Sequence, residues 1–147
     1  MKFSKKSRYG LVALIDLSVH SKNDPVSLGT IARRNDISLQ FLEQIFANFR
    51  RMKIVRSVKG PQGGYQLAKA SSQITVAMVL EVLEGTYHLD DQEISVEKEC
   101  QGISDTIQKL VVEKVNAALD DVLLGLSLEQ MENYYIENYD KQEMYYI

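Results

Sequence analysis

A chain of 147 residues is long enough for one well-cored domain, or for a small domain with an appended helical part. An ordinary apolar fraction with only two prolines excludes wholesale disorder, and a single cysteine, Cys100, excludes an intramolecular disulfide framework and suits a reducing cytoplasm. The net charge of −3 argues against a polyanion partner, but its distribution argues for one: residues 1–69 hold 13 Lys/Arg against 4 Asp/Glu, and residues 70–147 hold 4 against 16.

No apolar run reaches the roughly 18 residues of a membrane span. The start, MKFSKKSRYGLVALIDLSVHS, has the basic-then-apolar order of a signal peptide. Asp16 interrupts it and no small-residue cleavage site follows, so a cytoplasmic protein is expected, away from the membrane.

Tyr9, Val12, Ala13, Ile15, Leu17 and Val19 predict a first helix over 8–20, broken by SKNDP. Ser27 is a good N-cap for a short helix through Leu28, Ile31 and Ala32. NDIS then makes a tight turn, and Ser38 caps a third helix. There Leu42, Ile45, Phe46 and Phe49 form a one-sided apolar stripe at i, i+3, i+4 and i+7. Gln40, Glu43, Gln44, Ala47 and Asn48 occupy the other face, which ends in Arg50 and Arg51.

Two short helices joined by so short a turn form a helix-turn-helix. IVRSVK, GPQGG and YQLAK follow directly and read as a β-hairpin, that is, a wing. Lys59 near its tip can reach phosphate or the narrow minor groove. Gly63 and Gly64 are expected to supply positive φ and let the backbone approach the sugar–phosphate chain. Double-stranded DNA is therefore the expected partner.

TVAMVLEVLE, 75–84, predicts another helix, stopped by Gly85, and residues 86–102 read as an acidic loop. From 103 to 124, Ile103, Ile107, Leu110, Val111, Ala118 and Val122 resume helical spacing over about six turns. That is too long for so small a wing domain to cover, and predicts a homodimer helix. Ser127 and Gln130 make a capping box for a last short helix with Tyr134 and Tyr135. The expected fold is thus mainly α with a small β-hairpin wing. Residues 1–85 form the winged helix-turn-helix domain, 86–102 the loop, and 103–147 the dimerisation helix, short helix and tail.

KSRYGLVALIDL, ISLQFLEQIFANFRR, SVKGPQGGYQLAK and ITVAMVLEVLEG together resemble the Rrf-type family of bacterial winged-helix repressors. The match is close from residue 1 to about 85 and weaker through the dimer helix. The resemblance implies a homodimeric repressor on a palindromic operator. It places Ser38, Gln40 and Glu43 at base-reading positions, where Glu43 suits a cytosine amino group and Gln40 an adenine. Lys59 stands where relatives often carry arginine, and Lys5, Lys6, Arg8 and Tyr9 are expected at backbone phosphates.

Cluster-binding members of the family use three cysteines and a further ligand before the dimer helix. Gln92, Lys98 and Ser104 stand at those positions here, leaving only Cys100, and the aspartate that one relative supplies from its N-terminal segment corresponds to Arg8. No cofactor and no metal site is expected. Cys100 reads as inert, as a redox switch or as a metal ligand; Glu97 and Glu99 would raise its thiol pKa, with Lys98 opposing. The ending MYYI resembles that of the family's cluster-less cysteine-metabolism repressors, which form a complex with O-acetylserine sulfhydrylase. That implies docking of Ile147 in the enzyme's site, with Tyr145 and Tyr146 at its mouth. The alternative is that these three residues fold back onto the dimer.

An enzyme is disfavoured. His20 and His88 are the only histidines, no Ser/His/Asp constellation exists, and GPQGG joins two strands where a phosphate cradle would open a helix. A winged helix serving only protein–protein contact is the second rival, against which the basic wing and arm speak.

Overall fold

The computed structural model describes residues 3–89 and 101–140. Helix α1 runs Lys5–His20, starting three residues before the apolar pattern predicts, because the Ser4 hydroxyl accepts from the Ser7 N–H at 3.2 Å. Gly10 lets this helix sit close to its neighbours. A Cβ there would lie 2.6 Å from Leu83 Cδ1 and 3.1 Å from Phe49 Cζ.

Helices α2 (Leu28–Asn35) and α3 (Leu39–Arg51) begin where expected. Ser27 Oγ accepts from the Thr30 N–H at 3.2 Å and Ser38 Oγ from the Phe41 N–H at 3.3 Å. The turn between them passes through Asp36 in the left-handed region, φ 53° and ψ 48°, which a short polar side chain tolerates. Leu42, Ile45, Phe46 and Phe49 are all fully buried, so the stripe on α3 forms the middle of the core.

Strands β1 (Val55–Val58) and β2 (Gly64–Leu67) pair antiparallel, Val55 opposite Leu67 and Val58 opposite Gly64. The wing thus forms as predicted, but the glycine assignment needs correction. Positive φ falls on Gly60, at 116°, and not on Gly63 or Gly64. Those two are small for the wing's own packing. A side chain at Gly63 would overlap the Val58 carbonyl, and a Cβ at Gly64 would lie 2.5 Å from the Val26 carbonyl oxygen. The Gly63 N–H is also engaged, donating to the Gly60 carbonyl at 2.9 Å. Val26 and Tyr65 exchange two backbone hydrogen bonds, of 3.0 and 2.8 Å, adding a single-residue third strand that ties the wing to the start of α2.

After a 3₁₀ turn at Ser71–Gln73, α4 spans Val76–Glu84 and stops at Gly85, φ 86°. Residues 101–124 are helical throughout, but not uniformly α. Gln101–Ile107 (α5) passes through a π-helical stretch, Gln108–Glu113, into Lys114–Leu124 (α6). Gln101 and Gly102, expected in the loop, are thus helical.

Helix α7 (Leu128–Tyr135) carries the expected capping box: Ser127 Oγ accepts from the Gln130 N–H, and Gln130 Oε1 from the Ser127 N–H. It packs back onto α1. Leu128 is fully buried, its N–H donates to the Ile74 carbonyl at 2.7 Å, and Thr75 and Ser127 form a β-bridge. Among the described residues no helix is long and apolar enough to cross a membrane.

Candidate nucleic-acid interface

The apolar stripe of α3 turns inward, so its other side must face solvent. Ser38, Gln40, Glu43, Gln44, Ala47, Arg50 and Arg51 are all exposed, as expected for a reading face. Leu39 is exposed too, at 45%, an apolar residue outside the stripe of Leu42, Ile45, Phe46 and Phe49. Ser38 has a dual part. Its oxygen is held by the helix cap, and its hydroxyl proton remains available to an acceptor.

Two flanking elements are fixed to this helix by aromatic contacts. Tyr9 of α1 meets Phe41 edge to face at 5.8 Å, which sets the first turns of α1 beside the first turn of α3. Lys5 and Arg8 are exposed there and Lys6 is half-buried; the Arg8 guanidinium lies 5.5 Å over the Phe3 ring. Below them Glu84 accepts from the Ser4 and Ser7 hydroxyls, the latter at 2.6 Å. The Ser4 hydroxyl, then the Ser7 hydroxyl, hold the Glu84 carboxyl below its usual pKa.

The wing is fixed to the other side. Tyr65 meets Phe46 edge to face at 5.1 Å, and Lys59 stands exposed where β1 meets the tip. Arg56 is exposed on β1 and donates across the hairpin to Gln66 Oε1 at 3.1 Å. Between the wing tip and α2 lies an open cleft of about 1010 Å³, bordered by Ser27, Thr30, Arg34, Lys59 and Gly60.

A polar network invisible to periodicity ties α1 to the end of α2 and to α7. Asp16, 8% exposed, accepts from Arg34 Nε at 2.9 Å, Arg34 Nη2 at 2.7 Å and Asn35 Nδ2 at 2.8 Å, joining α1 to the end of α2. The hydrogen bond to Asp16 raises the Arg34 pKa further. Glu132 of α7, 2% exposed, accepts from the Ser18 hydroxyl at 2.6 Å and lies 2.7 Å from Lys22 Nζ. A lone acid inside an apolar helix was the available signal for the first pair. Nothing local pointed to the second.

His88 is held, not free: its Nε2 lies 2.7 Å from Asp120 Oδ1, which also accepts from the Tyr87 hydroxyl at 2.5 Å. That bond pushes the Tyr87 pKa up to about 12 and holds Asp120 below its usual value, with His88 contributing second. Asn116 receives the Leu89 N–H at 2.7 Å, so residues 87–89 are fastened to α6. Gln92, Lys98, Cys100, Tyr145, Tyr146 and Ile147 lie outside the described residues.

A helix-turn-helix with an exposed polar reading face, a wing on one side and a basic arm on the other is the geometry of a DNA-binding regulator. Residues 3–134 match the profile of Rrf2, described as an iron-dependent transcriptional regulator. The chain belongs to the Rrf2 family. It is 32% identical to the HTH-type transcriptional regulator IscR of Vibrio atlanticus, over 98% of this chain and 83% of that one. Among solved structures it is similar to CymR, the global cysteine regulator of B. subtilis, at 30% identity and TM-score 0.78, covering 91% of this chain and 98% of that one. IscR of T. potens is similar at 32% identity and TM-score 0.73, covering 95% and 91%.

These relatives are transcriptional regulators and not enzymes, and DNA-binding transcription regulation is the function this chain shares. The iron in the family's description would, as an iron–sulfur cluster, call for more thiolates than this chain holds. Among the described residues no three His, Cys, Asp or Glu gather in one place, and the chain has one cysteine where a cluster needs several thiolates.

Proposed function

We propose that this Rrf2-family regulator is a homodimeric repressor acting on a palindromic operator, with one winged helix-turn-helix in each half-site. The observation that carries this reading is the single surface formed by α3, the wing and the start of α1, all fastened by aromatic contacts. Ser38, Gln40 and Glu43 read base edges from the N-terminal half of α3. Lys59 follows the minor groove from the wing. Lys5, Lys6, Arg8, Tyr9, Arg50 and Arg51 hold phosphates and set the register. Binding to a selected duplex should weaken steeply with salt, since each neutralised phosphate releases counterion. A flat salt response would refute phosphate anchoring and favour a protein-binding winged helix.

The dimer reading rests on helix 101–124. Ile103, Ile107, Leu110, Val111 and Val122 are all exposed, and an apolar stripe of this length in water calls for a second surface. Ile103, Ile107, Val111 and Val115 recur every four residues. In a regular α-helix such steps overshoot a turn by about 40° each. The π-helical stretch takes more residues per turn and offsets part of that drift.

Control of cysteine metabolism is the branch we favour. It is supported by the likeness to a global cysteine regulator and by the lack of a thiolate set. In this reading the tail, through Ile147 with Tyr145 and Tyr146, docks in O-acetylserine sulfhydrylase. Calorimetry with that enzyme and a variant lacking Ile147 tests it: tight binding lost on the deletion supports the reading. No binding by the intact chain removes it and leaves a redox- or metal-responsive role for Cys100.

A further inference from the structure

We infer that α3 recognises thymine through its methyl group, with Leu39 as the reading side chain; this deepens the DNA-binding reading above and rests on it. Leu39 is the first residue of α3 and stands 45% exposed. Its neighbours Ile37, Phe41 and Leu42 all belong to the core or pack against it, and Leu39 does not. The Ser38 cap fixes the backbone on which it is mounted. Leu39 forms one wall of an open groove of about 470 Å³ between α2 and α3, with Ala32, Arg33 and Ile37.

Position decides what Leu39 can meet. Leu39, Glu43 and Ala47 fall at i, i+4 and i+8, one row along the exposed face. Leu39 therefore lies about 6 Å from Glu43 along the helix axis, a rise that spans at most about two base steps of 3.4 Å. The end of a recognition helix that reaches base edges is its N-terminal end, which is where Leu39 sits. A leucine there offers no donor or acceptor. Set against a guanine, adenine or cytosine edge, it would strip water from polar groups and leave them unpaired. The thymine C5-methyl is the one apolar feature of the major groove. A carboxylate for cytosine and an isobutyl group for thymine on one row would separate the two pyrimidines by opposite chemistry.

The test starts from a duplex selected out of a random pool by the full-length chain. Glu43→Gln locates the base pair read by Glu43, and thymines within two steps of it are replaced singly by deoxyuridine. That change removes the methyl group and leaves every hydrogen-bonding group in place. Fluorescence anisotropy at fixed salt should show roughly fourfold weaker binding by the wild type at one such position, the worth of one buried methyl group. Leu39→Ala should bind the thymine and uracil duplexes equally, and Leu39→Met should keep the preference; circular dichroism checks that both variants fold. Equal binding of both duplexes by the wild type would overturn the inference. So would a thymine preference that survives Leu39→Ala, or a selected half-site with no thymine within two steps. If no sequence is enriched at all, the DNA-binding reading itself fails and this inference falls with it.

Discussion

In α3, Leu42, Ile45, Phe46 and Phe49 recur at helical spacing and all are fully buried. Between Gln101 and Leu124, Ile103, Ile107, Leu110, Val111 and Val122 recur at similar spacing and all are exposed. Periodicity says that a helix has an apolar side; it does not say whose surface covers it. For α3 the cover is α1, α4 and the wing of the same chain. For the outward side of helix 101–124 the described residues supply none, while Leu119 and Leu123 on its inward side pack against the core. Charge divides the chain in a parallel way, with the cations concentrated in the first 69 residues.

The largest effects should come from the buried side of this contrast. Phe46→Ala is expected to cost about 3–5 kcal/mol in urea denaturation, because it empties a site shared by Phe49 and Tyr65. Arg34→Met should cost about 3 kcal/mol, since it leaves the buried Asp16 carboxylate with Asn35 as its remaining side-chain donor besides the nearby His20. Gly64→Ala should cost about 1–3 kcal/mol by pushing β2 off Val26. Its DNA affinity should fall by more than its stability loss accounts for, as the wing moves with β2.

A smaller effect is expected from acid. Glu84 has a folded pKa below its ordinary 4.5, so its bonds to Ser4 and Ser7 contribute stability above that value. That contribution is lost as pH falls through the depressed folded pKa. Stability curves from pH 6 downward should therefore drop less for Glu84→Gln than for the wild type.

The caps and breakers were legible in the sequence because they are local. Ser27, Ser38, the Ser127–Gln130 box and Gly85 each act within four residues, and each forms as read. The start of α1 was missed because Lys5–Ser7 is polar and the reading followed apolar residues. The Asp16–Arg34 pair, the Val26–Tyr65 bridge and the Ser18–Glu132 bond join positions 18, 39 and 114 residues apart, which no window can contain. At the wing, the positive φ expected of Gly63 and Gly64 falls on Gly60 instead. A side chain is excluded at Gly63 and Gly64 by backbone from the hairpin and from residue 26, and only the fold brings Val26 against Gly64. On the exposed side of α3, the polar positions follow from residue type, whereas the exposure of Leu39 does not.

We propose that a second copy covers helix 101–124 and that this pairing carries the DNA-binding surface. Sedimentation of the wild type beside Ile107→Lys, alone and with a selected palindromic duplex, tests it most directly. A wild-type dimer that binds one duplex is expected. The variant should remain folded, sediment as a monomer and bind the duplex at least tenfold more weakly, about 1.4 kcal/mol. A wild type that sediments as a monomer, or a variant that dimerises and binds DNA like the wild type, would contradict it.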